Sequence, residues 1–160
     1  MFVLSLALVS FMSPSSNKAT TTENGNRILC SESNLISNFN TVSGTVSVYV
    51  LDETIMVKFK TSKNRSLNKT HLYVGSIEAL PKTENGNPDL QLFPHKGKHS
   101  ESTTIVTYDI DVNTLPSGKI AIAAFSEVTG ITRNTAWAGD LAYGGPSNAK
   151  YYEFDLNACR

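Results

Sequence analysis

The chain has few charges, no imbalance of charge and no long apolar run, and each shortage excludes a class of protein. Only 18% of its 160 residues are charged, and 14 basic residues balance 14 acidic ones. Without a basic excess we expect neither nucleic acid nor an anionic membrane surface as a partner. The apolar run from Met1 to Met12 is shorter than the roughly 20 residues that a transmembrane helix requires, so the sequence predicts no transmembrane span.

Cysteine is also scarce, because the chain has only Cys30 and Cys159, which lie near opposite ends of the expected folded region. These two residues allow one intramolecular pairing, and an oxidising compartment favours it. A disulfide that closes so long a loop would contribute about 4 kcal/mol in the chain-entropy model. We predict the disulfide, with two buried free thiols as the alternative.

Motifs for catalysis are missing as well. The sequence contains no nucleophile elbow, no HExxH and no P-loop, and it predicts neither an enzyme nor a cofactor. His95 and His99 have a spacing that suits a metal on a helix, but Gly97 and two lysines between them favour a solvated loop. The acidic stretch from Asp109 to Asn113 lacks the glycine and distal glutamate of an EF-hand. We therefore predict no metal site.

Alternating apolar and polar residues are what the chain has in abundance. Such alternation over 42–50, 55–59, 71–75, 104–112 and 152–156 is typical of half-buried strands. We count about seven strands and no convincing helix, and Ser31 to Asn38 holds one short turn at most. The sequence thus predicts an all-β fold, an antiparallel immunoglobulin-like β-sandwich.

The segment from Gly118 to Gly145 organises the rest. The strand Ile120 to Phe125 is apolar on both faces, which predicts a central position between two packed layers. The following block, Asn134 to Asp140, contains the only tryptophan, Trp137, and is followed by flexible glycines. We expect this block to be a loop folded back over the core and anchored by the Trp137 ring.

The chain divides into an apolar arm at 1–12, a polar linker at 13–29 and the β-domain at 30–160. The arm is either the apolar region of a signal peptide, although it lacks a positively charged start, or a β-strand that inserts into another protein. Both interpretations place the protein outside the cytoplasm or in an assembly, so we predict an extracellular or cell-surface location. In the second interpretation the anchoring side chains are Phe2, Leu4, Leu6, Leu8 and Phe11.

Two features predict contact with glycans. Asn64 and Asn68 both begin N-glycosylation sequons in an expected surface loop. Four tyrosines, Tyr49, Tyr73, Tyr143 and Tyr151, are expected on exposed faces, where they would offer a stacking platform for sugars. Ordinary cross-strand packing of these rings is the alternative.

Short blocks in the second half of the chain carry a family resemblance. The blocks are His71 to Gly75, Gly86 to Pro88, Phe93-Pro94, Ile122 to Ala124, Thr135 to Gly139 and Ala149 to Phe154. With them the chain resembles a family of secreted and cell-surface β-domains of unknown function, which implies no established activity. Phe125 stands where that family often has histidine, and Asn134 where it often has glutamate. Any chemistry of those polar residues would be lost here.

Two hypotheses for the function of the protein follow from these predictions. In the first, the protein is an extracellular structural subunit whose arm inserts into a neighbouring copy, giving head-to-tail filaments. That layout is similar to pilin-like subunits assembled by N-terminal strand addition. In the alternative, the protein is a secreted monomeric binding module, with carbohydrate as the candidate ligand and a cleaved N-terminus. Its site would lie in the loops around Gly86 to Pro88 and Trp137.

Overall fold

A computed structural model of the chain describes residues 27–159, apart from the side chain of Phe39. The arm at 1–12 and the linker up to residue 26 lie outside the described residues, so both interpretations of the arm stay predictions. Residues 27–159 form ten strands and four short 3-10 helices and contain no α-helix. The strands are β1 Ile28–Ser37, β2 Thr41–Leu51, β3 Thr54–Thr61, β4 Ser66–Gly75, β5 His95–Lys98, β6 Ile105–Asp111, β7 Lys119–Thr129, β8 Arg133–Ala138, β9 Leu141–Ala142 and β10 Lys150–Asp155. The 3-10 helices are η1 Asn38–Asn40, η2 Leu90–Leu92, η3 Val112–Thr114 and η4 Leu156–Cys159.

The strongly alternating strands form as the sequence predicts. β2 and β3 make an antiparallel hairpin in which Val48 lies opposite Val57. Both valines and Ile55 are fully buried on the same face of this hairpin. The prediction of an all-β fold is therefore confirmed, since side chains that alternate in polarity can bury one face of a pleated strand at a time.

β1 is the main element that the sequence analysis missed. Its residues Ser31 to Asn38 look like a turn because they are polar, yet nearly all of them lie in a ten-residue strand. β1 pairs along its length with the valine-rich β2, and at Leu35–Ser37 it also pairs with β8. The expected short turn is wrong because pairing with apolar neighbours outweighs the local preference of serine and asparagine.

β1 also joins what would otherwise be two sheets. The hydrogen-bonded order is β5-β4-β7-β8-β1-β2-β3-β6, all antiparallel, and β10 pairs with the first part of β7. The two ends of this path approach each other. The amide of Leu67, in the next-to-last strand β4, donates to the carbonyl of Thr103, just before the last strand β6, at 2.7 Å. The single sheet is thus barrel-like, and the immunoglobulin-like arrangement of two separate sheets is not confirmed.

Two polar segments contain strands. The surface loop expected around Asn64 and Asn68 is shorter than predicted, because β4 begins at Ser66. The long connection at 77–102 includes η2 and the short strand β5, which pairs with β4. Charged and polar side chains make these strands hard to recognise in the sequence, because only one face or one edge of each strand contacts the core.

The core has two layers, one on each side of β7. Ile120, Ile122 and Ala124 of β7 point into the barrel. Ala121 and Ala123 lie under a second apolar cluster, which the two connections at 76–94 and 139–149 complete on the outside of the sheet. The predicted central position of this strand is confirmed, and its apolar character on both faces follows from these two layers.

The predicted disulfide between Cys30 and Cys159 is present. It links β1 to η4 at the end of the chain. In the part of the chain described here, no helix is long and apolar enough to cross a membrane.

Candidate functional site

Trp137 lies in a strand rather than in the expected loop. β8 carries it between β7 and β1, where Trp137 is opposite Phe125 on one side and Ile36 on the other. The prediction of a folded-back loop is wrong here, because backbone pairing on both edges keeps residues 133–138 extended. The ring is half-buried, so part of it contacts the core and part of it reaches solvent.

An aromatic layer supports the Trp137 ring from below. The ring centroid lies 5.0 Å from that of Phe125, 5.9 Å from that of Tyr143 and 6.4 Å from that of Phe93. Tilted and edge-to-face contacts of this kind are favourable and limit rotation of the ring. Trp137 is therefore held in one position before any ligand arrives.

The expected platform of four exposed tyrosines is wrong. Tyr49, Tyr73 and Tyr143 are buried, with exposed fractions of 5%, 9% and 1%, and only Tyr151 is half-buried. The alternation in β4 correctly predicts that the Tyr73 ring points away from the barrel interior. The connection at 76–94 nevertheless covers that outer face and buries the ring. Burial also raises the pKa of the Tyr143 hydroxyl well above its usual range.

A groove of about 540 Å³ opens beside Trp137. Its walls come from η1 and the end of β1, from β8, from Pro88 and from the connection that precedes β10. The lining residues are Ile36, Ser37, Asn38, Asn40, Pro88, Thr135, Trp137, Gly139, Ser147, Asn148, Ala149 and Lys150. The groove is lined by Trp137 and by Pro88, so one residue of the Gly86 to Pro88 loop lies beside the tryptophan, as the predicted binding site requires.

The loops around the groove are fastened to each other. The side-chain oxygen of Asn87 accepts a hydrogen bond from the amide of Ser147 at 3.0 Å. The carbonyl of Asn87 accepts from the amide of Thr83 at 2.8 Å, and the carbonyl of Ala149 accepts from Tyr143 at 3.2 Å. The first bond joins the two loops and the other two close each loop on itself, so the groove wall is preformed rather than assembled by a ligand.

The polar groups of the groove are mostly neutral. Asn38, Asn40 and Asn148 supply exposed amides, while Thr135 and Ser147 supply exposed hydroxyls. Among the lining residues only Lys150 is charged. This arrangement can exchange several hydrogen bonds with a neutral polar ligand beside an aromatic surface.

The asparagines of η1, which line this groove, were not predicted from the sequence. Asn38 and Asn40 lie in η1, and Asn40 has a left-handed φ of 57°, which asparagine tolerates better than most residues. The cluster of serine and asparagine at 37–40 signals a tight connection. What the sequence could not show is that β1 pairs with β8 and so places this connection beside Trp137.

The other predicted site residues lie elsewhere. Asn64 is exposed in the turn before β4, whereas Asn68 is half-buried within β4 and its side-chain oxygen is buried. Glycosylation at either position stays a prediction. Phe125 packs between His71 and Trp137, while Asn134 lies opposite Val128. The two positions that depart from the resembling family are therefore three residues apart along the sheet.

His95 and His99 line the seam where the barrel closes, whereas His71 packs against Phe93 and Phe125 on the outer face of the sheet. Nε2 of His99 and the Tyr108 hydroxyl each lie 2.7 Å from the Thr70 hydroxyl, and the His95 ring packs against Tyr108. Burial lowers the pKa of His95 and of His99. Burial also lowers the pKa of His71, assisted by Lys96 and Lys69 and opposed by a hydrogen bond to the carbonyl of Leu90. Within residues 27–159 no three potential metal ligands cluster together.

Comparison with protein-family models, with curated proteins and with solved structures finds no match to this chain. The resemblance described above therefore stays a prediction.

Proposed function

We propose that this protein is a non-catalytic binding module that holds a neutral carbohydrate in the Trp137 groove. One observation carries the proposal: a fixed, half-buried tryptophan ring lines a groove whose other side chains are mainly neutral amides and hydroxyls.

The chemistry of sugars fits this surface on two counts. A pyranose ring has an apolar face of C–H groups that packs on an aromatic ring, and Trp137 offers such a ring beside Ile36 and Pro88. The hydroxyls around the sugar donate and accept hydrogen bonds, as do the side chains of Asn38 and Asn148. A sugar therefore contacts both the aromatic ring and the polar side chains of the groove.

The small number of charges in the groove favours a neutral ligand over an ionic one. Lys150 is the one charged side chain among the lining residues, and it is half-buried. An ionic ligand would gain little here to replace its lost hydration, whereas a neutral sugar leaves no charge unpaired.

The proposed module works outside the cytoplasm. The Cys30–Cys159 disulfide supports this location, because structural disulfides persist mainly in oxidising compartments. Two sequons in the same chain are consistent with a secretory route.

The experiment screens neutral oligosaccharides against the full chain on a glycan array and measures each hit by titration calorimetry. Since Trp137 is the only tryptophan, its fluorescence reports occupancy of the groove directly. We expect Trp137→Phe and Asn148→Ala to weaken binding by about tenfold or more. Asn157→Ala, an exposed asparagine outside the groove, should bind as the wild type does. Wild-type binding without any fluorescence change, or unaltered affinity in both groove variants, would contradict the proposal.

We also propose a second candidate function, filament assembly through the arm at 1–12. Its support is that, within residues 27–159, β6 is the last strand of the hydrogen-bonded path and forms a ladder with β3 alone; its other edge meets β4 through the Thr103 carbonyl and the Tyr108 hydroxyl only. Such an edge can accept an added strand, and Ile105 on it is 51% exposed. Deleting residues 1–12 should leave a folded monomer in electron micrographs and gel filtration. Filaments that form equally well from the shortened protein would rule this candidate out.

A further inference from the structure

A second cavity lies at the other end of β8, far along the strand from Trp137. It has a volume of about 470 Å³ and forms where three connections meet: the β3–β4 turn, the β5–β6 loop and the β7–β8 hairpin. The ends of barrels are common positions for ligand sites, because loops converge there around a rigid wall. This cavity shares no lining residue with the Trp137 groove.

Two arginines distinguish this cavity from the groove. Arg65 lines it from the β3–β4 turn and Arg133 from the start of β8. Neither guanidinium forms an ion pair with any acidic side chain within residues 27–159, where the ion pairs are Lys69 with Glu127 and Lys119 with Glu153. Glu101 is the one acidic residue in the lining. Two arginines and one glutamate give the lining a net charge of +1, and no acidic side chain of the described residues pairs with either arginine.

Arg65 is held in place by the neighbouring hairpin. Its guanidinium reaches to 3.6 Å from the position that a β-carbon on Gly130 would occupy, so the side chain lies against the backbone of the β7–β8 turn. The turn that carries Arg65 is itself fixed, because its carbonyl accepts a hydrogen bond from the Thr61 hydroxyl at 2.9 Å. The backbone of Arg65 is therefore fixed and its side chain lies along the hairpin, which reduces the ordering that anion binding requires at this residue.

Neutral polar groups complete the lining. The buried hydroxyl of Thr129 has no hydrogen-bond partner among the described residues, and neither does the buried amide oxygen of Asn68, which only accepts hydrogen bonds and so does not favour an anion. Ser102 and Thr104 add hydroxyls from the β5–β6 loop. Hydroxyls that donate beside two guanidinium groups suit a tetrahedral oxyanion, whose several oxygens accept hydrogen bonds in different directions.

We propose that this cavity binds a sulfate or phosphate group, held between Arg65 and Arg133. Each guanidinium presents a planar fork of donors that matches two oxygens of such a group. Glu101 opposes the anion and limits its affinity. The site is independent of the Trp137 groove, so either site can exist without the other.

Titration calorimetry with inorganic sulfate and inorganic phosphate tests this, at constant ionic strength and with full-length protein whose mass shows no glycan on Asn64. We expect Arg65→Gln and Arg133→Gln each to weaken anion binding by about tenfold or more. Glu101→Gln should strengthen binding, because it removes the opposing charge. Lys63→Gln is the matched control, since Lys63 is an exposed cation in the same turn that does not line the cavity.

The outcomes separate a built site from general charge. Loss in both arginine variants, retention in Lys63→Gln and a gain in Glu101→Gln would together establish the site. No binding to the wild type, or an equal loss in Lys63→Gln, would overturn the proposal. Two further arms, a sulfated heparin fragment and phosphatidic acid vesicles, show whether the group is carried by a glycan or a lipid. These arms are read only through the difference between wild type and Arg133→Gln.

Discussion

Gly139 lies at the end of β8, where the chain leaves the sheet and enters the groove wall. Its φ of 117° lies in a region that residues with a side chain rarely adopt. A β-carbon at this position would also collide with the backbone carbonyl of Tyr151. A single missing side chain thus lets the connection at 139–149 pass close to β10 and shape the groove beside Trp137.

We predict that Gly139→Ala destabilises the protein by about 2 kcal/mol or more, because it adds a backbone collision to an unfavourable φ. Gly144→Ala is the matched control, since Gly144 has a similar φ of 107° but open space around it. That control should lose only about 1 kcal/mol. Urea unfolding measures both values, and equal losses in the two variants would show that the close approach at Tyr151 is unimportant.

At the scale of elements, the connection between β4 and β5 acts as a cover for the sheet. Phe93 inserts from this connection into the outer apolar cluster, where it is 1% exposed and contacts Tyr73 and Trp137. Leu92, the residue before it, is 64% exposed. Phe93, the residue that follows η2, therefore anchors the connection to the sheet, while the adjacent Leu92 faces solvent.

We predict that Phe93→Ala lowers the free energy of unfolding by about 3 kcal/mol or more, because it leaves a cavity beneath the cover. Leu92→Ala should change it by less than about 0.5 kcal/mol. Phe93→Ala should also shift the Trp137 emission to longer wavelength, since the ring loses an apolar neighbour. Chemical unfolding and fluorescence spectra check both effects, and an unshifted spectrum would mean that the cover does not protect the ring.

At the scale of the whole molecule, the disulfide compensates for missing strand pairing. β1 pairs with β8 only over Leu35–Ser37, so the rest of its outer edge has no strand partner among the described residues. Cys30 lies on this unpaired part and is linked to Cys159 at the end of η4. The cross-link thus joins the first strand of the domain to its last element.

We predict that Cys30→Ser combined with Cys159→Ser costs about 2–5 kcal/mol of stability, because the unfolded chain regains the freedom of a long loop. The reducing agent dithiothreitol should lower the urea midpoint of the wild type in the same way. It should leave the midpoint of the double variant unchanged. A wild-type midpoint that does not respond to complete reduction would show that sheet pairing alone closes the domain.

The seam between β4, β5 and β6 makes the whole fold sensitive to acid. His95 and His99 have lowered pKa values in the folded state because of burial, and His71 shares this shift. His99 and His95 face the hydroxyls of Thr70 and Tyr108, whereas His71 packs against Phe93 and Phe125 on the outer face and lies near the cations Lys96 and Lys69. Lys69 of β4 is paired with Glu127. The seam thus disfavours protonated rings.

We predict that stability is highest above about pH 6.5 and falls as the pH drops below it. The unfolded chain takes up protons at its ordinary histidine pKa, while the folded chain resists them until its lower pKa is reached, so acid favours unfolding. Urea unfolding at about pH 7.5 and about pH 5.5 measures the loss, before most carboxylates titrate. His99→Gln should reduce this pH dependence, and a wild-type midpoint that stays constant over that range would exclude the mechanism.

Local patterns were sufficient for the elements whose side chains face the core directly. The alternation in β3 indicates its one buried face, and the doubly apolar Ile120 to Phe125 segment of β7 indicates burial on both. In β2 the apolar face is buried as predicted, but Ser47 and Tyr49 on the other face are buried as well. The two cysteines allowed one pairing, and it is present. For the strands the information lies within a few neighbouring residues, because a regularly buried strand has a regular alternation in its own sequence.

Long-range pairing decided the rest. β1 and β8 are extended because their neighbours in the sheet supply hydrogen-bond partners, although β1 is largely polar and β8 follows a turn. The same pairing turns two expected sheets into one barrel-like sheet and brings η1 next to Trp137. Tyr73 is buried because Phe93, twenty residues further along the chain, packs over the outer face of the sheet. Such effects depend on which segments pair in the fold, and the local sequence of a segment does not specify its pairing partner.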